Sequence, residues 1–233
     1  MNGAGKRFVN EAASYHDFVQ GMYASQAVSP TMQAYLVCEA AFVARYGLGA
    51  IHPGTKDVSK FERDGYLVKA PTLEALAEKI KMKPAVLKET VQRYNQFARN
   101  GKDLNFGKGE TELNRFNGDP KVQPNPCLAE IKDGPFVAMA VYPAEIATST
   151  GLRTNGDGQV LNANDAVVQG LYACGNDMAS VMLGTYPGPG TTLGPALTFG
   201  YRVAMHAAGK SDLADCEPHT GLRTVPVPQK VGS

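Results

Sequence analysis

The sequence contains no apolar run approaching the roughly 18–20 residues that a membrane-spanning helix needs, and no apolar leader at its N-terminus. A membrane span is therefore not expected. Cysteine is scarce: Cys38, Cys127, Cys174 and Cys216 lie far apart and form no C-x-x-C pair. Neither a zinc site nor a disulfide framework is expected, and reduced thiols in a cytoplasmic protein are the default. An excess of one charge is missing too. With 23 basic and 22 acidic residues interspersed, the net charge is +1, which offers no patch to nucleic acid or an anionic membrane. Finally, no G-x-G-x-x-G phosphate loop is present. Gly47-Leu48-Gly49 lacks the third glycine in register. Gly188-Pro189-Gly190 reaches Gly194 one residue too late, with a proline where the tight turn needs freedom.

What is present is a chain of 233 residues, long enough for one large domain or two small ones with a real core. Its most informative stretch runs from Gly170 to Gly209. This reads as a short buried strand (Leu171 to Cys174), a glycine-bearing turn, a Gly/Pro loop and a helix. Small or apolar residues at Leu193, Leu197, Gly200, Ala204 and Ala208 predict one buried helix face. Thr191 or Thr192 suits the start, Pro195 the first turn and Gly209 the stop. A helix tip almost free of side chains presents bare backbone N–H groups and the positive end of the macrodipole. Gly188, Gly190 and Gly194 would let a flat ligand reach the main chain, and such a tip favours an anion or a ring that becomes negative. Tight strand–helix packing alone would use the same glycines.

Elsewhere the pattern is coarser. A short strand is expected around Arg7 to Val9, and residues 33–46 read as strand then helix with the boundary open. Helices are expected over 72–80, capped by Thr72, and over 84–100, between Pro84 and Gly101. Residues 101–134, rich in Gly, Asn, Asp and Pro, read as an irregular connector. Phe136 to Tyr142 reads as a buried strand, and 151–155 with 159–161 as a hairpin around Asn155–Gly158. The tail, with Val225-Pro226-Val227-Pro228, reads as extended or mobile.

The runs Gly170–Asn176 and Tyr186–Tyr201 resemble the C-terminal flavin-binding segment of the fumarate reductase/succinate dehydrogenase flavoprotein superfamily. Within it, the 3-ketosteroid dehydrogenase branch, especially the Δ1-dehydrogenases, is the closest match. The resemblance continues through Gly5–Glu11, Tyr46–Ile51, Arg63–Val68, Asn125–Ala129 and Gly151–Thr154, so it spans nearly all of residues 5–209. It implies an α+β fold: a portion of a substrate (cap) domain over 1–130, the C-terminal part of an FAD-binding α/β domain over 131–209, and a tail over 210–233. Relatives open with a G-x-G-x-x-G unit. Its absence here leads us to expect a truncated chain or fragment, binding FAD weakly or not at all by itself.

The resemblance implies FAD as cofactor and desaturation of a C–C bond beside a ketone, in a 3-ketosteroid or similar small molecule. It assigns catalysis to Tyr15 as proton acceptor, and to the Tyr186 hydroxyl and Gly190 N–H as donors to the ketone oxygen. It assigns cofactor binding to Gly175 and Asn176, facing the ribityl chain, and to Thr192, Leu193, Gly194, Ala196 and Leu197, under the pyrimidine edge. Pro195 has no N–H to give, and Cys174 reads as a small core residue. No metal is implied, and the electron acceptor is not named. Two alternatives stay open. A fumarate-type reductase would need arginine clamps for carboxylates, and Tyr186 stands where one is expected. A non-catalytic fragment without flavin is the other.

Overall fold

A computed structural model describes residues 1–27 and 32–210. The proline-bearing tail, with Cys216, lies outside the described residues. The described elements, in chain order, are α1 (Tyr15–Ser25), β1 (Ala34–Glu39), α2 (Ala40–Tyr46), α3 (Ser59–Arg63), β2 (Val68–Ala70), α4 (Leu73–Lys79), α5 (Pro84–Asn100), α6 (Glu112–Phe116), β3 (Phe136–Val141), β4 (Gln159–Leu161), β5 (Val167–Tyr172), a 3-10 turn (Gly175–Asp177) and α7 (Leu193–Ala207). Helices packed on antiparallel sheets make this an α+β fold. Two compact units divide the chain, one over 1–144 and one from 145 onward.

Unit 1 is built on the sheet β1–β3–β2, antiparallel throughout. The central strand, β3, is covered on both faces, which is why its sequence is apolar without alternation. Phe136 and Ala138 face α4 and α5, joining Ala70, Leu76, Ala77, Leu87 and Val91 in one core. Val137 and Met139, one residue out of phase, join Val43, Ile51 and Leu67 in another. The helices behave as their caps dictate. The Thr72 hydroxyl accepts from the Ala75 N–H at 3.1 Å, and α5 runs from Pro84 to a left-handed Gly101. Its face of Leu87, Val91, Tyr94 and Ala98 is buried. The division expected at 130/131 differs from the one observed at 144/145 by β3, which is hydrogen-bonded into the unit 1 sheet.

The strand expected at Arg7 to Val9 is not formed. The pairing lies earlier, at Asn2, bridged to Ala34. The cause is in the side chains, which turn inward to separate partners instead of alternating. Arg7 enters an ion cluster, Phe8 meets Phe18 edge-on with centroids 5.5 Å apart, and Val9 lies against Gly21. The connector at 101–134 also holds a helical turn, α6, whose Thr111 cap accepts from the Asn114 N–H at 3.2 Å.

Unit 2 pairs β4 with β5 and packs α7 over the turn between Thr154 and Val160. Its core is small: Val160, Ala173 and Met178, with Phe199 against them. Two expectations fail here. The strand comes earlier than Leu171–Cys174 and is mostly exposed, only Ala173 beyond its end being buried. The predicted face of α7 is also exposed, Leu193 at 70% and Leu197 at 74%. The helix turns Pro195, Phe199 and Val203 inward instead, because Val203 meets Gly158 so closely that a Cβ on the glycine would come within 2.4 Å. Arg202 donates to the Gly156 carbonyl beside it.

Candidate active site

In unit 2 the chain leaves β5 through buried Ala173 and extended Cys174, and Gly175, at φ +61°, starts the 3-10 turn. That turn lies on the first turn of α7: a Cβ added to Gly175 would sit 3.2 Å from the Ala196 Cβ. Gly175, Asn176 and Ala196, expected at one cofactor, are thus neighbours. Asn176 is exposed, and its carbonyl accepts from the Thr148 hydroxyl at 3.2 Å. With Cys174 and Tyr172 it lines an open depression of about 720 Å³. Behind that, the Tyr172 hydroxyl is hydrogen-bonded to His206 Nδ1 at 2.9 Å, a pair that no motif or spacing announces.

A second depression, about 450 Å³, lies against the tip of α7, lined by Met182, Pro187, Gly188, Gly190, Gly194 and Phe199 among others. Among the described residues nothing stands within 4 Å of a Cβ placed on Gly188, Gly190 or Gly194, so this face of the main chain is open to a flat molecule. Thr192 takes the N-cap position, but its side chain makes no capping hydrogen bond. The Gly194 N–H is used internally, by the Gly190 carbonyl at 2.7 Å. Pro195 has none, so the amides left for a ligand at this tip are those of Thr192 and Leu193. Leu193 and Leu197 add exposed apolar surface beside them. Tyr186 is half-buried, next to the Pro187 wall of the depression.

Tyr15, in unit 1, is the first residue of α1 and 54% exposed. Ser14 caps that helix, accepting from the Asp17 N–H at 3.2 Å and donating to the Asp17 carboxylate at 2.8 Å. Just before it lies a polar cluster that sequence reasoning missed. Arg7 grips both Glu11 oxygens, each at 2.7 Å, and both Asp103 oxygens, at 3.0 and 2.7 Å. Its guanidinium stacks between Tyr94 and Phe106, 5.2 and 5.1 Å from the centroids. Burial, the largest single influence, pushes both carboxyls up, but the hydrogen bonds and charge of Arg7, joined by the Lys108 charge at Glu11 and by backbone N–H donors, together outweigh it and hold them below the usual carboxylate range. Neither partner was signalled: Arg7 and Glu11 are four apart but lie in no helix, where that spacing would pair them, and Asp103 is distant in the chain.

The residues present fit a flavin: an uncluttered helix tip with unused amides, apolar flanks and a glycine turn against it. Comparison with known proteins agrees. Residues 1–193 match the FAD binding domain family model, and the chain belongs to that family. It is similar to the 3-oxosteroid 1-dehydrogenase of Mycolicibacterium smegmatis, at 41% identity over 89% of this chain and 37% of that one. It is also 39% identical to the 4-oxocyclohex-2-ene-1-carboxylate 5-dehydrogenase of Sinomonas cyclohexanicum, over 88% of this chain and 35% of that one. Among solved structures, the 3-ketosteroid delta1-dehydrogenase of Sterolibacterium denitrificans, in complex with 1,4-androstadiene-3,17-dione, superposes with TM-score 0.83 at 43% identity. That match covers 90% of this chain and 38% of the other. The chain thus spans less than two fifths of the length of these relatives. Among the described residues, no helix is long and apolar enough to cross a membrane.

Proposed function

We propose that the protein is an FAD-dependent dehydrogenase that introduces a C=C bond beside a ketone, with a 3-ketosteroid as substrate. The observation that carries this reading is the open glycine face at the tip of α7, in a chain 43% identical to a ketosteroid dehydrogenase seen with its steroid. Thr192, Leu193, Gly194, Ala196 and Leu197 would hold the pyrimidine edge of the cofactor, and Asn176, carried on the turn that Gly175 starts, would face its ribityl chain. FAD, when bound, supplies the acceptor for the hydride that leaves the carbon β to the ketone.

The remaining work falls to the protein. Tyr15 takes the proton from the α carbon, whose C–H electron pair becomes the new π bond. Tyr186 donates its O–H, and Gly190 its N–H, to the ketone oxygen as that oxygen gains negative charge. Exposed apolar Val181 and Leu183, flanking this loop, suit a neutral ring system better than a dicarboxylate. A reducing cytoplasm suits Cys38, Cys127 and Cys174, which are free thiols.

The test is steady-state turnover of a 3-ketosteroid by the protein produced from its whole gene, with saturating FAD and a dye as electron acceptor. Tyr186→Phe should lower kcat about 100- to 1000-fold, the usual effect of losing one oxyanion donor. An unchanged kcat overturns the assignment.

A further inference from the structure

The segment leading into Tyr15 is held by more polar contacts than a surface turn needs. Asn114 is 3% exposed, and every polar atom of its side chain is directed at this segment or its support. Its Oδ1 accepts from Asn10 Nδ2 at 2.8 Å and from the Gly109 N–H at 3.0 Å. Its Nδ2 donates to the Ala12 carbonyl at 2.9 Å. Asn10 closes the loop, its Oδ1 accepting from the Ala12 N–H at 2.9 Å and its carbonyl from the Ala13 N–H at 3.1 Å. One step earlier Arg7 and Asp103, with side chains 5% and 0% exposed, bolt the same segment to the 103–109 loop. One step later comes the Ser14 cap.

Tyr15 follows immediately as the first residue of α1, so the turn behind it sets where its backbone sits. A proton acceptor must be held to within about 0.5 Å of its working position by the groups behind it. The clamp needs an amide: a short side chain that accepts twice and donates within one buried site. Aspartate would lose the donor, and leucine all three contacts.

We propose that Asn114, through Asn10 and the Ala12 peptide, is a positioning residue that fixes the backbone from which Tyr15 acts. This rests on Tyr15 being the proton acceptor. The clamp acts on the rate of proton removal and leaves substrate binding alone, because none of its atoms belongs to the ketone or cofactor contacts.

Asn114→Asp, near-isosteric but without the donor to Ala12, is the main variant, with Asn114→Ala and Asn10→Ala beside it. In the chain carrying 13C-labelled tyrosine, the Tyr15 ring signal, assigned by its loss in Tyr15→Phe, should shift or split while circular dichroism stays unchanged. In turnover of a 3-ketosteroid deuterated at the α carbon, kcat per bound flavin should fall about 10- to 100-fold with KM constant, and the isotope effect should rise. The Asn10→Ala, Asn114→Ala pair should be clearly non-additive, since the two side chains form one unit. If Tyr15→Phe abolishes turnover while Asn114→Asp keeps both kcat and the Tyr15 signal, the clamp is wrong and the proton-acceptor reading survives. If Tyr15→Phe leaves turnover intact, that reading falls. The ring signal then decides: unmoved in Asn114→Asp, it overturns the clamp as well.

Discussion

The two units treat the same kind of sequence pattern in opposite ways. In unit 1 the periodic apolar face of α5 is the buried one, with Leu87 at 0% and Val91 at 1% exposure. In unit 2 the periodic face of α7 is the exposed one, while the residues it turns inward, buried Pro195 and half-buried Phe199, were not in the expected set. Charged groups divide likewise. Unit 1 buries Arg7 and Asp103 at the centre of a four-residue cluster that Glu11 and Lys108 complete, whereas Arg153 and Asp165 of unit 2 pair at the surface, 48% and 67% exposed. Periodicity therefore reports a face suited to burial, and the local partners decide whether this unit covers it. Unit 1 has a three-stranded sheet with helices on both faces to do so; unit 2, among its described residues, has two paired strands and one long helix.

The sharpest way to break this contrast is through the ion pairs. Arg7→Ala leaves the buried Asp103 carboxylate without its cation, and Glu11 with Lys108 alone, and should cost about 3–5 kcal/mol, while Arg153→Ala should stay within about 1 kcal/mol. Calorimetry of both variants checks this, and equal losses would erase the distinction between the units. Acid sharpens it. The Glu11 and Asp103 carboxyls are held below their ordinary range in the fold. Their stabilisation is complete above the ordinary carboxylate pKa and is lost as pH falls through the depressed folded values. Asp103→Asn should therefore flatten the acid limb of the melting profile of unit 1. A variant whose melting temperature still falls with acid as steeply as the wild type would show that the cluster does not govern it.

Truncating matched leucines probes the apolar half of the contrast. Leu87→Ala empties a fully buried site among Leu76, Val91 and Ala138 and should cost about 2–5 kcal/mol. Leu197→Ala, on the exposed face of α7, should cost about 0.5 kcal/mol or less in the same chain. A large loss at Leu197 in urea denaturation would mean that its face is covered after all.

These outcomes also bear on what the sequence made legible. Helices framed by strong punctuation were read to the residue, as with Pro84 and Gly101 around α5. Helix α1 was missed because Gly21 interrupts it, although Ser14 and Asp17 form a visible start signal. Short α6 was hidden in a Gly- and Asn-rich run, where its Thr111 cap was the one available cue. At the candidate site, the glycines and the α7 start were legible because they are punctuation too. The Asn10–Asn114 clamp and the Tyr172–His206 pair were not, since each joins residues brought together only by the fold.

The smallest effect compares two glycines doing one job. Gly101 ends α5 at φ +69° and Gly209 follows the end of α7 at φ +66°, both in the left-handed region that an L side chain adopts at a cost of about 1 kcal/mol. Around Gly209 the amides of Gly209 and Lys210 close back on His206 and Met205, both at 2.9 Å, a regular Schellman stop. Among the described residues nothing lies within 4 Å of a Cβ placed on Gly209, but one on Gly101 would come within 2.6 Å of the Pro124 ring. Gly209→Ala should therefore lose only the conformational term, about 1 kcal/mol, while Gly101→Ala adds displacement of that ring and loses more. Hydrogen exchange resolves the two without reference to global melting. The last turn of α7 should open slightly in the first variant, and the amide of Cys127, held by the Asn125 side chain at 2.9 Å, should lose protection in the second. Equal and purely local effects would mean that Pro124 yields freely, and that unit 1 is no more tightly built at this corner than unit 2.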